Sequence, residues 1–491
     1  MGDTRRRGSD QRVVVAALFV ATMFITIMDS TIVNVALPSI ARDLGVASDS
    51  VDEIVISYLV SLAVVIPASG WLADRFGTRR VFLTALAVFT AASALCALAD
   101  SLSQLVAFRI LQGAGGGLLT PVGMAMLFHV YPPADRARAA RILVVPTIIA
   151  PAVGPVLGGV LTDQASWHWV FLVNLPIGAT AFIVGALFLV DRQGTPTGRF
   201  DAVGFVLSAV GFALVLYALS AGPTKGWSSA TTLAAAGVGI AATAATAWWE
   251  LRRTGPLLEL RLFSNRLYRS VSLTISTMFM AFMGVLFLIP LLMQTARGAS
   301  ATVSGLVVFP EAIGVLVATQ IAGSIYPTVG PRRLMTGGLI VVATAALTMG
   351  LVEVDVSLWV LRALLFVFGL GAGFVMMPAQ AAAFATITPA QNAQASALFN
   401  VLRQLAAAIG VALASTALSL AGGDSASGPG GSADPGAFQW GFYVAAVLAV
   451  VGLAVAVRVH DADAVVTMRR PGAPPRGANP DSDNGPVSEG S

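Results

Sequence analysis

Charge is scarce in this chain. Asp, Glu, Lys and Arg make up 11% of its 491 residues, while 56% are hydrophobic; a soluble domain carries about 25% charged residues. No ordinary core takes that much apolar surface out of water, so the chain reads as an all-α polytopic membrane protein set in a lipid bilayer. Lysine occurs once, at Lys225, and no G-x-x-x-x-G-K-S/T loop is present, which excludes ATP hydrolysis by that route. A single cysteine, Cys96, forbids a disulfide within the chain and any cysteine-rich metal site. His129, His168 and His460 lie too far apart to suggest ligand spacing. No cofactor, metal or enzyme chemistry is expected. The net charge of +4 does not point to nucleic acid, because the arginines sit in short loops between apolar runs rather than on one face.

What the chain does have is apolar runs of spanning length, about 20 residues. They fall at 13–37, 52–73, 81–99, 103–128, 141–162, 170–190, 201–221, 230–249, 270–294, 302–323, 334–352, 358–380, 395–420 and 438–458. These predict fourteen transmembrane helices, since lipid offers the backbone no partner but itself. Arg5-Arg6-Arg7 before the first run resembles a signal peptide, but that run is long and holds Asp29, so it reads as a first span. Counting alternate loops from an inner N-terminus leaves only Arg42, Lys225 and Arg297 in outer loops. This bias predicts a cell-membrane protein with both termini in the cytoplasm. Residues 1–12 and 459–491 are then cytoplasmic, and the Pro-, Gly-, Asp- and Ser-rich tail is expected to be disordered.

Two features repeat. Gly70–Arg80 reads GWLADRFGTRR and Gly323–Arg333 reads GSIYPTVGPRR. Gly113, Gly115, Gly116, Gly117 and Pro121 are echoed by Gly369, Gly371, Gly373 and Pro378. The repeat suggests two six-helix bundles, 13–190 and 270–458, around a central cavity, with a helix pair at 201–249 inserted between them.

Several residues resist a purely apolar reading. Asp29 lies inside the first run, where a carboxylate costs about 2.5–3.5 kcal/mol on insertion scales. It must face a cavity, a partner or a proton path. Arg109, within the fourth run, needs a carboxylate or several carbonyls unless it snorkels to the surface. Glu311, in the tenth run, is either paired with an arginine or a neighbour such as Gln320, or is a second proton or cation site. In the first repeated loop, Gly70 would let helices approach closely and Gly77 would supply a backbone position that other residues resist. Asp74 can pair with an arginine or cap a helix. Gly154 and Gly158 share a helix face and Pro155 bends the helix, which leaves a smooth surface for a neighbour to rock against.

These motifs carry a resemblance. GWLADRFGTRR resembles the signature loop of the major facilitator superfamily, and Arg109 through Gly113 resembles its RxxQG pattern. Ala150 through Gly159 is similar to its antiporter motif GxxxGPxxGG, with Ala150 in place of the first glycine. Asp29–Pro38 (DSTIVNVALP) and Trp167–Gly178 (WHWVFLVNLPIG) resemble signatures of the fourteen-span drug:proton antiporters, His168 standing where that pattern has arginine. The resemblance covers about residues 12 to 460. It implies the major facilitator fold and a monomeric, proton-coupled antiporter that exports amphipathic drug-like compounds by alternating access, without ATP. Asp29, Arg109 and Glu311 would serve proton coupling. Gly70, Asp74, Arg75, Gly77, Arg79 and Arg80 would form the gating loop, and Gly154, Pro155, Gly158 and Gly159 the antiporter motif. Asn34, Glu53, Tyr58, Gln112 and Asn400 are candidates for the substrate cavity. Glu53 stands where family members usually carry tryptophan; with Asp52 it either attracts cations or opens a solvated helix. A dedicated exporter of one metabolite, lipid or siderophore is the rival expectation. A sensor or scaffold would need a folded appendage, and no run suggests one.

Overall fold

The structure is a computed structural model that describes residues 2–46, 50–130, 150–151, 153–190, 200–253, 255–353, 355–388, 391–422, 435–465 and 467–468. Every regular element among them is helical. In chain order they are α1 (Gly2–Asp43), α2 (Asp52–Val65), α3 (Ala68–Phe76), α4 (Thr78–Cys96), α5 (Leu102–Val130), α6 (153–164), α7 (His168–Leu172), α8 (Asn174–Phe188), α9 (Ala202–Lys225), α10 (Ala230–Arg252), α11 (Arg266–Leu291), α12 (Ala301–Val329), α13 (Pro331–Leu351), α14 (Leu358–Ala383), α15 (Asn392–Gly422) and α16 (Pro435–Ala456). Among the described residues twelve helices are long and apolar enough to cross a membrane, and α2 with α3, bent by 56° between them, together have the length and composition of one more. The sequence predicts a single helix over 52–73. The break comes at Ile66–Pro67, where proline has no N–H to continue the ladder. The fifth expected run, 141–162, lies partly outside the described residues, as do Arg136, Arg138, Arg141, Arg192 and Arg199 and the tail from 469.

Glycine decides how closely the helices stack. In α5, a Cβ on Gly113 would meet Tyr58 O at 2.6 Å, and one on Gly115 would meet Phe89 N at 2.6 Å. Gly117 faces Leu62 O at 3.0 Å. So α5 lies backbone to backbone between α2 and α4, an approach that any side chain would block. The echo in α14 does the same work: a Cβ on Gly371 would meet Gly338 O of α13 at 2.7 Å, and one on Gly373 would meet Val315 O of α12 at 2.6 Å. The repeated loops match as well. Gly77 (φ 88°) joins α3 to α4 and Gly330 (φ 84°) joins α12 to α13, each in a conformation that favours glycine.

Helices α1, α2, α4, α5 and α8 pack on one another, and α11 to α16 form a second group. Helices α9 and α10 pair together, and α9 touches both α2 and α15. Chain direction alternates, so Asp43, Asp52, Asp163, Ser220 and Ser300 gather at the end of the molecule away from the N-terminus, here the far end. There the two groups are tied directly. Gln294 Nε2 donates to Val35 O at 2.7 Å, and Asp163 accepts from Ala301 and Thr302 backbone N–H groups.

Candidate functional site

Arg109 is fully buried on α5, so its charge must be met inside the protein. Asp29, on α1 and also unexposed, meets it: Arg109 Nη1 donates to Asp29 Oδ2 at 2.5 Å. The same Nη1 reaches Gln112 Oε1 at 2.8 Å, and Nε donates to Ile54 O at 3.2 Å. The guanidinium lies 4.0 Å over the Tyr58 ring, a cation–π contact that a desolvated site strengthens. Asp29 Oδ1 accepts from Gln112 Nε2 and from Asn174 Nδ2, both at 2.8 Å. Ser93 Oγ accepts from both amides at 3.1 Å and donates a hydrogen bond to Phe171 O at 2.9 Å. Five helices, α1, α2, α4, α5 and α8, thus converge on one carboxylate–guanidinium pair. Each charge of the pair is met by the other inside the protein, so removing either partner leaves the other buried and uncompensated.

Sequence reasoning named Asp29, Arg109, Gln112 and Tyr58, and the structure brings all four together. Gln112 and Tyr58, taken as cavity candidates, are buried parts of this cluster. Asn174 was visible as the one amide in the WHWVFLVNLPIG stretch, but nothing aimed it at Asp29. Ser93 carried no signal, being one small residue among alanines. The other cavity candidates lie apart. Asn34 is buried on α1 with Oδ1 unpartnered, and Asn400 Nδ2 turns back to Ser396 O at 2.9 Å on its own helix. Glu53 is half-buried at the start of α2, next to an acid that sits deeper. Asp52 is 1% exposed and accepts from Ser220 Oγ at 3.0 and 3.1 Å.

Glu311 is buried on α12, apart from the Asp29 cluster, and Oε1 has no hydrogen-bond partner. Neither an arginine nor Gln320 pairs with it among the described residues, and Gln320 itself is exposed. In the first turn of α4, Arg79 Nη2 donates to Ala186 O at 2.6 Å, at the last turn of α8. Asp74, Arg75 and Arg80 lie at the surface. Gly70 corrects an expectation: a Cβ there would meet nothing within 4 Å, so it serves no close approach in this conformation. Its position in the motif could not show which way its missing side chain would point. Along α6, a Cβ on Gly158 would meet Ile32 O of α1 at 2.7 Å, and Gly154 faces Thr31 of the same helix. Gly159 faces Ala301 of α12, where the Pro155 carbonyl in turn presses on Gly305.

Comparison with known proteins agrees with this architecture. The family model described as Major Facilitator Superfamily matches residues 19–411 and, in an overlapping match, 271–482. A relative from Mycobacterium tuberculosis named multidrug resistance protein B homolog is 35% identical over 397 residues, covering 80% of this chain and 73% of its own. Among solved structures, an auto-inhibited POT family peptide transporter superposes with a TM-score of 0.66 at 16% identity, covering 91% of this chain and 97% of that one. A bacterial homolog of the human lysosomal transporter Spinster, in an inward-facing and unoccupied conformation, gives 0.63 at 15% identity, covering 94% and 99%. At such identities the likeness is one of fold. The chain belongs to the major facilitator superfamily and is a multi-pass membrane transporter, not an enzyme.

Proposed function

We propose that the protein is a proton-coupled antiporter that exports amphipathic, drug-like compounds across the cell membrane by alternating access, with both termini in the cytoplasm. The observation that carries this is the buried Asp29–Arg109 ion pair, set within helices of membrane-spanning length and held by five of them. The name of the mycobacterial relative supports a drug-like cargo. With the N-terminus inside, the far end faces outward, and its hydrogen bonds between the two helix groups fit a state closed to the outside. Asp29 protonated from outside would loosen Arg109, release cargo and favour the inward opening; loss of that proton inward would restore the pair and favour the outward opening. Glu311, buried in the second group with Oε1 unpartnered among the described residues, is the natural second proton site. The loop Gly70 to Arg80 would steady one orientation, and the glycine faces of α6 would let 13–190 rock against 270–458.

Proteoliposomes with an imposed pH gradient and a panel of cationic and neutral dyes test this. Proton-driven efflux of several unlike dyes is expected, and Asp29→Asn should abolish its dependence on the gradient. Coupling that survives in Asp29→Asn with normal stoichiometry would remove Asp29 from the proton path. A single saturable dye or metabolite would instead identify a dedicated exporter.

A further inference from the structure

Asp163 lies outside the proton cluster, at the last turn of α6, where an acid is disfavoured by the negative end of its own helix dipole. Its partners belong to the other helix group. Oδ1 accepts from the Ala301 N–H at 3.0 Å and Oδ2 from the Thr302 N–H at 2.7 Å. These are first-turn donors of α12, which have no carbonyl to bond within their helix. Yet α12 already carries a cap: Ser300 Oγ accepts from the Val303 N–H at 3.3 Å. Asp163 is therefore a second cap supplied from across the divide, with a full charge at the positive end of α12. Asp163 is an exposed residue, and the little burial its carboxyl has would raise its pKa, but hydrogen bonds from Thr302, Ser300 and Ala301 outweigh it and hold the group below its ordinary value. The carboxylate is thus charged at neutral pH. Just behind it the two helices meet backbone to backbone, Gly159 against Ala301 and Gly305 against Pro155. At both points the seam is glycine against backbone, with no side chain on the glycine to interlock.

Resting on the alternating-access reading above, we propose that Asp163 is the far-end latch of the transport cycle, a positioning residue that caps the opposite group's helix while that end is shut and must release it for the end to open. The test uses the full chain in nanodiscs, with Cys96→Ala and spin labels at Asp100→Cys and Glu353→Cys, two exposed far-end sites in different groups. Pulsed electron resonance gives the ratio of open to closed distances. Asp163→Asn is expected to raise that ratio about tenfold, the worth of a charge-assisted bond. Thr302→Pro removes the backbone N–H and the hydroxyl that both serve Asp163, in a turn where proline is tolerated, and should act in the same direction. The double variant should exceed neither single change by much, because both break one link. Ser300→Ala strips the helix's own cap and the lesser bond from Ser300 to Asp163 while leaving both backbone donors in place, and should move the ratio much less than Asp163→Asn. An unmoved ratio in Asp163→Asn, or an equal shift in Ser300→Ala, overturns the latch; if Asp163→Asn does not fold, Thr302→Pro decides alone. The distances need neither gradient nor cargo, so a failed latch would leave proton-coupled export standing, and the reverse.

Discussion

At the scale of single residues, Arg109 is the costliest side chain in the fold to misplace. Its fork reaches Asp29, Gln112 and the Ile54 carbonyl while its face rests on Tyr58. Lysine keeps the charge but offers a point donor on a flexible stem, and cannot satisfy these directions together. Arg109→Lys is expected to cut proton-driven efflux at least tenfold and to lower the thermal midpoint. Arg109→Leu should cost about 3–5 kcal/mol, because Asp29 is left as an uncompensated buried charge. Tyr58→Phe keeps the ring and loses only a 3.3 Å bond to Thr26 O, so both readouts should stay near wild type. Efflux and melting measured side by side check this. Wild-type behaviour in Arg109→Lys would mean that guanidinium geometry is not what the cluster needs.

At the scale of helices, most of the architecture was legible because lipid enforces it: a span must be long, apolar and helical. Asp29 and Arg109 were legible for the same reason, since a charge at that depth demands a partner. Less visible was anything that depends on which face a small residue presents. The α2–α3 break needed knowledge of how the chain runs on past Pro67. Ser93 became meaningful only once α4 lay beside α8. Gly70 and Gly115 look alike in the sequence, but only Gly115 faces a neighbouring backbone, with Ala85 O 2.8 Å from its ideal Cβ. Two substitutions separate them. Gly115→Ala should push α5 from α4 and cost about 1–3 kcal/mol, as overpacking does. Gly70→Ala, in open space inside a helix, should be neutral or stabilising by about 0.5–1 kcal/mol. Thermal unfolding in detergent reads both. A stable Gly70→Ala protein that no longer transports would show that the missing Cβ matters in the opposite conformation.

At the scale of the whole molecule, the inserted pair is joined to both groups through one carboxyl. Asp52 opens α2 in the first group, Ser220 bonds it from α9, and Ser415 reaches it from α15 in the second. Beside it, Thr416 Oγ of α15 donates to Leu219 O of α9 at 3.4 Å. Glu53 is the charged neighbour that bears on Asp52, and the carboxyl takes hydrogen bonds from these two hydroxyls and from the Glu53 N–H. Helix α9 therefore acts as a strut at the junction of the groups rather than as an independent appendage. Ser220→Ala and Ser415→Ala should each cost about 1–3 kcal/mol, the penalty for a buried acceptor that loses its donor. Together they should cost less than the sum if Asp52→Asn is added, because the demanding group is then gone. A triple-variant cycle of melting temperatures measures that coupling. Additive losses, indifferent to Asp52→Asn, would mean that α9 packs on the junction without sharing its polar core.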